Sequence, residues 1–246
     1  MSPLDDLERI DDDDLAELYA YPADLDRPWV RANFVSTLDG AASGPDGRSG
    51  SINNAADERV FGLLRSLADV ILVGAGTART EGYRPVRTRE VWRGLRAGTG
   101  RSPAPALAVV TRSLDLPTGV LEQVDGGGPV LVVSVADADP ERIAVARRAL
   151  GQDAVILAGE RQVDLGRALD QLGERGLSRV LCEGGPSLMS DLAGAGLIDE
   201  LCLTVSPRLV GGDGPRITTG GPLDLGLRLG HVVESRSVLL TRWLRD

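Results

Sequence analysis

Short apolar runs rich in β-branched residues recur along the chain, and the segments between them have the spacing of amphipathic helices. This alternation predicts a mostly parallel, buried sheet with helices on its faces, that is, an α/β fold. No helical segment separates the last two runs, which therefore predict an antiparallel hairpin at the C-terminal end of the sheet. The runs predicted as strands are 30–36, 70–73, 106–110, 130–134, 154–157, 179–182, 201–206, 232–235 and 238–243.

The helical segments are placed by their caps. Asn54, followed three residues later by Asp57, is typical of an N-cap with a carboxylate in the first helical turn. Apolar residues then recur at helical spacing, which predicts a helix after Asn54. Further helices are predicted over 140–150, 164–175 and 187–195, each ending near a glycine that can act as a C-cap.

Three regions lie outside this pattern. Residues 84–105, rich in arginine, glycine and proline, predict a surface loop with at most a short helix, and residues 224–230 are too rich in glycine to assign. The acidic segment 5–17 predicts a solvated N-terminal extension or a short acidic helix. No repeat or low-complexity linker divides the chain. We therefore expect an acidic extension, 1–26, and one domain, 27–246.

The charge balance argues against one class of partner. With 27 basic and 36 acidic side chains the formal net charge is −9, whereas a protein that binds nucleic acid needs a basic face. No apolar run approaches the roughly 18 residues needed to cross a bilayer, and the acidic N-terminus lacks the apolar core of a secretory leader. We expect a cytoplasmic protein with no nucleic-acid or membrane partner.

The scarcity of cysteine and histidine argues against several chemistries. Cys182 and Cys202 each lie inside an apolar run, which disfavours a disulfide scaffold and a cysteine zinc site. The single histidine, His231, disfavours Ser-His-Asp hydrolysis and multi-histidine metal sites. We expect no metal, and we interpret His231 as an ordinary surface or strand-end residue.

The strand 70–73 runs directly into a glycine-rich turn, the place where open α/β sheets bind ligands. Gly74, Gly76 and Thr77 follow it, and backbone N–H groups exposed there can hold phosphate or amide oxygens. A tight strand-to-helix turn explains the same residues equally well.

The strand 179–182 leads into a second such turn, Glu183-Gly-Gly-Pro-Ser187. The two glycines let a backbone approach a pyrophosphate, and the proline is suited to begin a helix whose first N–H groups face that ligand. The Glu183 carboxylate at the strand end can hydrogen-bond the amidine or amide edge of a heterocycle and help to supply a proton. Its alternative role is to interact with the dipole of the following helix.

Two other strand ends carry polar residues. Asp39 and Gly40 follow the first predicted strand, where Asp-Gly is a common turn signal. Arg112 follows the strand 106–110, where a basic side chain can meet a 2′-phosphate and select NADPH over NADH, although solvated surface arginines are common.

Three segments occur together in one order: RPWVRANFVSTLDG, SLADVILVGAGTARTEGYRPV and RVLCEGGPSLMSDLAGAGLIDELCLTVSPRLVGG. Together they resemble the 5-amino-6-(5-phosphoribosylamino)uracil reductase family, that is, the C-terminal reductase domain of the bifunctional riboflavin enzyme and single-domain pyrimidine reductases. The resemblance covers about 27–246. It implies a dihydrofolate-reductase-like αβα sandwich, a homodimer, NADPH as hydride donor and a small heterocyclic substrate. The family's zinc-dependent deaminase domain has no counterpart in 1–26, so we expect a reductase alone.

The resemblance also implies roles for individual residues. Ser49, Arg65 and Glu183 match substrate-binding positions. Asn33 and Asp39 are expected to shape the crevice beside Glu183. The residues that match cofactor positions of the family are Ser51, Thr77, Glu81, Gly184, Gly185, Pro186, Ser187 and Leu188. Gly74, Gly76 and Arg112 are added as cofactor candidates because they follow predicted strands.

The sequence departs from the family pattern at two positions. Asn33 stands where relatives commonly have lysine, and Gly82 replaces an aspartate in the segment TEGYRPVR. Both family residues handle the ribose-phosphate side of the substrate, so these departures bear on the identity of the substrate. The sequence thus predicts an NADPH-dependent reductase of 5-amino-6-(5-phosphoribosylamino)uracil, with a dihydrofolate or dihydropterin reductase and an NADPH-binding protein without turnover as the alternatives.

Overall fold

A ten-stranded mixed sheet forms the centre of the computed structural model, which describes residues 5–246. Its strands are β1 (Asp5–Asp6), β2 (Trp29–Thr37), β3 (Val70–Gly74), β4 (Ala106–Val110), β5 (Val130–Ser134), β6 (Val155–Leu157), β7 (Arg179–Cys182), β8 (Glu200–Ser206), β9 (Leu227–Ser235) and β10 (Val238–Arg245). The helices are α1 (Asp12–Leu18), α2 (Ala55–Leu67), α3 (Ala75–Thr80), α4 (Arg93–Ala97), α5 (Pro140–Leu150), α6 (Leu165–Gly173) and α7 (Pro186–Gly194).

The strand order across the sheet is β1-β9-β10-β8-β2-β7-β3-β4-β5-β6. Strand β10 pairs antiparallel with both β8 and β9, whereas every other pair of neighbours is parallel. The predicted α/β class, the mostly parallel sheet and the C-terminal antiparallel hairpin are therefore confirmed. Strands β3 to β6 follow one another toward one edge of the sheet, and the chain then returns to place β7 between β2 and β3. The strand order therefore reverses at these central strands, and a crevice that can bind a ligand is expected at their carboxyl ends.

Helices cover both faces of the sheet, because alternate residues of the buried strands point to opposite sides. On one face, Leu188 and Leu192 of α7 and Leu169 of α6 pack on β3, β4 and β7. On the other face, Leu63 and Leu64 of α2 pack on the opposite side of the same strands. Asn54 accepts a hydrogen bond from the Asp57 backbone N–H at 3.1 Å, so the predicted N-cap of α2 is confirmed.

The acidic N-terminal segment packs on the domain. Strand β1 pairs in parallel with β9, and Leu15 of α1 and Tyr19 are buried. Arg59 donates hydrogen bonds to the carbonyl oxygens of Leu7 and Ile10, both at 2.9 Å. Of the two predicted alternatives, the segment therefore forms the short acidic helix. The other alternative, a solvated extension, is wrong because the apolar side chains of the segment face the core.

The histidine also lies in this region. His231 is inside β9, half-buried, with its ring edge-on to Tyr19 at a centroid distance of 4.7 Å. Burial lowers the pKa of His231 to about 4, and Arg242 adds to that effect. His231 is thus a packed strand residue, and its predicted place at a strand end is wrong.

The arginine-rich segment is anchored more firmly than a surface loop. Trp92 is buried, and Arg96 of α4 donates hydrogen bonds to the carbonyl oxygens of Ser66 and Ala68 at 2.9 and 2.5 Å. These bonds cap the end of α2, which fixes the segment to the domain. Within the described chain, no helix has the length and apolar character needed to cross a membrane.

Candidate active site

A cavity of about 1280 Å³ opens at the carboxyl ends of the central strands. Its wall combines β2, one face of α2 from its first turn to its last, the segment that follows β3 and the start of α7. Pockets for a single drug-sized ligand enclose roughly 300–1,000 Å³. The cavity therefore has room for a dinucleotide and a second small molecule together.

The centre of the cavity is an ion pair between α2 and the end of β7. Arg65 donates from Nε to Glu183 Oε1 at 2.8 Å and from Nη2 to Glu183 Oε2 at 2.7 Å. The Tyr83 hydroxyl donates to the same Oε2 at 2.6 Å. The Arg65 guanidinium also lies 4.1 Å from the centroid of the Phe61 ring, a cation–π distance. Glu183 therefore contacts a cation in the cavity, rather than serving only as a helix cap.

The electrostatics of this cluster favour a charged Arg65 and a neutral Tyr83. Burial lowers the pKa of Arg65, but the charge of Glu183 and its hydrogen bonds outweigh burial and hold that pKa above its ordinary value. Burial raises the pKa of Tyr83 well above its ordinary value, and the Glu183 charge raises it further. The phenol therefore keeps its proton and acts as a hydrogen-bond donor.

The glycine-rich turns after β3 and β7 lie side by side. The Gly74 backbone N–H donates to the Gly184 carbonyl oxygen at 2.7 Å. A Cβ at Gly185 would lie 2.2 Å from Thr77 Oγ1, and a Cβ at Gly184 would lie 2.9 Å from Phe34 Cε1. Only glycine leaves the backbone accessible here, next to the first turn of α7. This arrangement fits a pyrophosphate, because such a group is bound by exposed N–H groups at a helix start.

Ser49 and Glu81 are in contact in the cavity wall. The backbone N–H and the hydroxyl of Ser49 both donate to Glu81 Oε1, each at 3.1 Å. A predicted substrate residue and a predicted cofactor residue are thus in direct contact. The predicted site residues that line the cavity are Asn33, Ser49, Arg65, Gly74, Gly76, Thr77, Glu81, Glu183, Gly185, Pro186, Ser187 and Leu188.

Four predicted site residues are not part of the cavity wall formed by the described residues: Asp39, Ser51, Arg112 and Gly184. Asp39 accepts hydrogen bonds from the backbone N–H groups of Val210 and Gly211 at 3.1 and 2.6 Å, and with the Thr37 hydroxyl these lower its pKa. Asp39 therefore fixes the loop after β8. The Ser51 hydroxyl is engaged within its own loop, where it donates to Asp46 at 2.7 Å.

The cavity wall also contains functional candidates beyond the predicted site residues. Asp57 is buried in the wall, and burial raises the pKa of its carboxyl to about 6 although the Thr204 hydroxyl acts in the opposite direction. Phe61 and Tyr83 flank Arg65. From the sequence, Asp57 was recognisable only as a helix-start residue.

The geometry can be compared with known proteins. The sequence model of the RibD C-terminal domain family matches residues 28–240. This chain belongs to the RibD C-terminal domain family. A 2,5-diamino-6-ribosylamino-4(3H)-pyrimidinone 5′-phosphate reductase from Methanothermobacter thermautotrophicus is 31% identical over 195 residues, which are 79% of this chain and 85% of that protein.

Two further relatives support the assignment to this family. The RibD riboflavin biosynthesis protein of Bacillus amyloliquefaciens is 27% identical over 188 residues, which are 75% of this chain and 47% of that protein. A pyrimidine reductase-like protein from Corynebacterium diphtheriae has the same fold, with a TM-score of 0.78, 26% identity, and coverage of 94% of this chain and 98% of that one. The prediction of a reductase from the riboflavin-biosynthesis family, and hence of an oxidoreductase, is confirmed.

Proposed function

We propose that this RibD C-terminal domain protein is an NADPH-dependent reductase of 5-amino-6-(5-phosphoribosylamino)uracil. The observation that carries the proposal is the position of Glu183, whose carboxylate is fixed by Arg65 directly beside the Gly184–Gly185 turn. A site for the edge of a heterocycle and a site for a pyrophosphate thus adjoin in one cavity. Direct hydride transfer needs this proximity of the two reactants.

The cofactor side of the cavity is supported by its backbone geometry. Gly185 and Thr77 face each other, and α7 begins at Pro186, so its first N–H groups are available to an anion. When bound, the nicotinamide supplies the hydride, and the protein supplies position and electrostatics. Arg112, which follows β4 and lies outside the cavity wall itself, is proposed to meet the 2′-phosphate that distinguishes NADPH from NADH.

The substrate side is supported by charge and hydrogen bonding. Glu183 is placed to accept a hydrogen bond from a ring N–H, and Asn33 of β2 and Ser49 lie in the same wall. Arg84 and Arg87 also line the cavity, and their positive charge suits a sugar phosphate. These arginines can supply the charge that the family resemblance assigns to a lysine at the position of Asn33.

A carboxylic acid in the wall can hold the proton that the reduction requires. Addition of a hydride to the ribose carbon leaves an anion that must be protonated. The chain contains no lysine, since all 27 basic residues are arginine, whose pKa is too high for this role. Asp57, with a pKa raised to about 6 by burial, is protonated for part of the time near neutral pH.

A turnover assay with two acceptors tests the proposed function. Purified protein is mixed with NADPH and either 5-amino-6-(5-phosphoribosylamino)uracil or dihydrofolate, and loss of the reduced nicotinamide absorbance is recorded. We expect oxidation with the uracil compound. Oxidation with dihydrofolate alone would establish a pterin reductase instead. Tight NADPH binding with no oxidation by either compound would indicate a binding protein without turnover.

Two further parts of the proposal are a homodimer, which the resemblance to the reductase family supports, and a cytoplasmic location. Light scattering on the purified protein tests the first, because a homodimer has twice the mass of the 25.9 kDa chain. Cell fractionation tests the second.

A further inference from the structure

The segment 122–125 forms part of the cavity wall on the face of the sheet that α2 covers. All four of its residues line the cavity. The preceding Val120 packs in the same apolar cluster as Leu63 and Leu64 of α2, whereas α7 packs on the opposite face of the sheet. A ligand group bound at 122–125 therefore lies on the other side of the sheet from the first turn of α7, where the pyrophosphate is proposed to bind.

Close backbone contacts hold this segment in place at both ends. After it, the Gly128 N–H donates to the Val86 carbonyl oxygen at 2.9 Å. Before it, a Cβ at Gly119 would lie 2.6 Å from the Tyr83 carbonyl oxygen, so the two backbones can approach this closely only because the residue is glycine. The side chains of 122–125 are therefore carried by a wall of defined position rather than by a free loop.

The polar side chains of this part of the wall differ in whether they are paired. Glu122 Oε2 lies 3.3 Å from Arg84 Nη1, so these two residues form an ion pair. Among residues 5–246, the side chains of Gln123, Asp125 and Arg87 make no hydrogen bond or ion pair, and all three are exposed in the cavity wall. The wall thus presents a carboxamide, a carboxylate and a guanidinium to a ligand.

These three groups complement a phosphorylated sugar. A carboxylate accepts hydrogen bonds from hydroxyl groups, and a carboxamide can both donate to them and accept from them. A guanidinium binds phosphate oxygens through charge-assisted hydrogen bonds. An apolar group would leave all three unmatched, and a purely anionic group would be repelled by the carboxylate. A chain of hydroxyl groups that ends in a phosphate matches all three.

We propose that Gln123 and Asp125 form a polyol subsite, in which they bind the hydroxyl groups of the substrate's sugar chain. This inference rests on the proposed function, since it takes the substrate to be a pyrimidine that carries a sugar phosphate. With the heterocycle at Glu183, the sugar extends along the wall to this subsite and its phosphate reaches Arg87. The carbon that receives the hydride belongs to this sugar, so the subsite also positions the reacting carbon.

Ligands with and without the sugar test this subsite. The compounds are 5-amino-6-(5-phosphoribosylamino)uracil, ribose 5-phosphate and 5,6-diaminouracil, which lacks the sugar, each titrated calorimetrically into the protein saturated with NADP⁺. The variants are Gln123→Ala, Asp125→Asn and the double variant; Asp125→Asn keeps the size of the side chain and removes its charge. The control is Asp115→Asn, because Asp115 is exposed, pairs with Arg79 at 2.7 Å and lies outside the cavity wall.

We expect each single variant to weaken the binding of the phosphoribosyl compound and of ribose 5-phosphate by about 3- to 10-fold, the effect of one lost hydrogen bond. The double variant is expected to weaken both further, and kcat/KM for the phosphoribosyl compound is expected to fall with them. The affinity for 5,6-diaminouracil is expected to stay within about twofold in every variant, and the control is expected to bind all three compounds as the wild-type protein does.

Two results overturn the polyol subsite and leave the proposed function standing, provided that the wild-type protein reduces the phosphoribosyl compound. One is an unchanged affinity for both sugar compounds in the double variant. The other is an equal loss of affinity for 5,6-diaminouracil, which would show that the substitutions disturb the cavity as a whole. A wild-type protein that neither binds nor reduces the phosphoribosyl compound overturns the proposed function, and the polyol subsite with it.

Discussion

Arg65 and Glu183 are joined by two parallel hydrogen bonds of 2.8 and 2.7 Å between α2 and the end of β7. The Glu183 side chain is 2% exposed and the Arg65 side chain 25%. The carboxylate is therefore nearly removed from water, and the guanidinium compensates its charge. A paired, hydrogen-bonded carboxylate in a cavity wall is a rigid reference point for a ligand, since it cannot reorient without leaving a buried charge unpaired.

Glu183→Gln is expected to lower kcat/KM for the pyrimidine substrate by about 10- to 100-fold, the usual range for loss of a hydrogen bond to a charged group. The affinity for NADPH is expected to stay within about twofold, because the proposed pyrophosphate-binding turn at 184–185 is formed by backbone groups. Steady-state kinetics and fluorescence titration of NADPH measure the two effects. An equal loss of kcat/KM and of NADPH affinity would show that the substitution disrupts the cavity as a whole.

Gly184→Ala is expected to weaken NADPH binding by at least about tenfold. Gly184 has φ +89°, and an added Cβ would lie 2.9 Å from Phe34 Cε1, so the proposed pyrophosphate-binding turn must shift. The matched control is Gly176→Ala at φ +75°, where nothing lies within 4 Å of the added Cβ. Both variants are expected to lose about 1–2 kcal/mol of unfolding free energy to backbone strain. Retained NADPH affinity in Gly184→Ala would remove this turn from the cofactor site.

Arg112→Ala is expected to narrow the ratio of NADPH to NADH affinity, because a charge-assisted hydrogen bond to the 2′-phosphate would be lost. The exposed Arg175, which donates to the Gln171 carbonyl oxygen at 2.6 Å at the end of α6, provides the control Arg175→Ala. Titration of each protein with both nucleotides measures the ratio. An unaltered ratio in Arg112→Ala rules out Arg112 as the phosphate contact.

Glu200→Gln is expected to lower the unfolding free energy at pH 7 by about 3 kcal/mol, since it leaves a buried cation uncompensated. The Glu200 carboxylate contacts Arg31, and both side chains are 0% exposed; Arg242 Nη2 donates to it at 2.9 Å. Burial raises the pKa of Glu200, but Arg31 and Arg242 outweigh burial and lower it. A carboxyl group whose pKa is lowered on folding stabilises the folded state at every pH above its pKa in the unfolded chain. That contribution is lost as the pH falls through the lowered pKa of the folded state.

Urea unfolding of the wild-type protein and Glu200→Gln should therefore give a difference that is large at pH 7 and shrinks in acid. Glu8→Gln is the control, because Glu8 pairs with Arg236 at 2.7 Å on the surface and such pairs contribute little. A difference that does not change with pH would show that the network acts through packing alone.

The sheet was predictable because its strands are buried on both faces and so appear as continuous β-branched runs. Strand β1 was not, since two residues carry no periodicity. The packing of 5–26 depends on Arg59 and on strand β9, both distant in sequence, so the acidic composition left a solvated segment and a short acidic helix both open. Tertiary contacts outweighed local composition there.

The cavity wall was predictable where a motif and a strand end coincide, as at Glu183 and Gly185. It was not predictable where a residue has an adequate local explanation. Asp57 follows an N-cap, and nothing local shows that its carboxylate is buried in a cavity wall. The opposite case is Asp39, whose position after a strand suggested a place in the crevice, whereas its hydrogen bonds hold the loop after β8.

Asp57→Asn is expected to stabilise the protein at pH 7.5 by about 2–3 kcal/mol and to have little effect at pH 4. Burial raises the pKa of Asp57 to about 6, so the folded state favours the protonated carboxyl. The protonated carboxyl contributes its full stability to the fold below the pKa of the unfolded chain, near 4. That contribution is lost as the pH rises through the folded-state pKa of about 6. The amide cannot ionise, so the cost at higher pH is removed.

Urea unfolding at both pH values measures the stability, and kcat/KM for the pyrimidine substrate is expected to fall in the same variant. Glu58→Gln is the control, since Glu58 is the exposed neighbour of Asp57 on α2 and its loss should change stability by less than about 0.5 kcal/mol. Greater stability together with lower activity would identify Asp57 as a residue whose burial is retained for function. A stability gain that is the same at both pH values would instead attribute the effect to packing in the cavity wall.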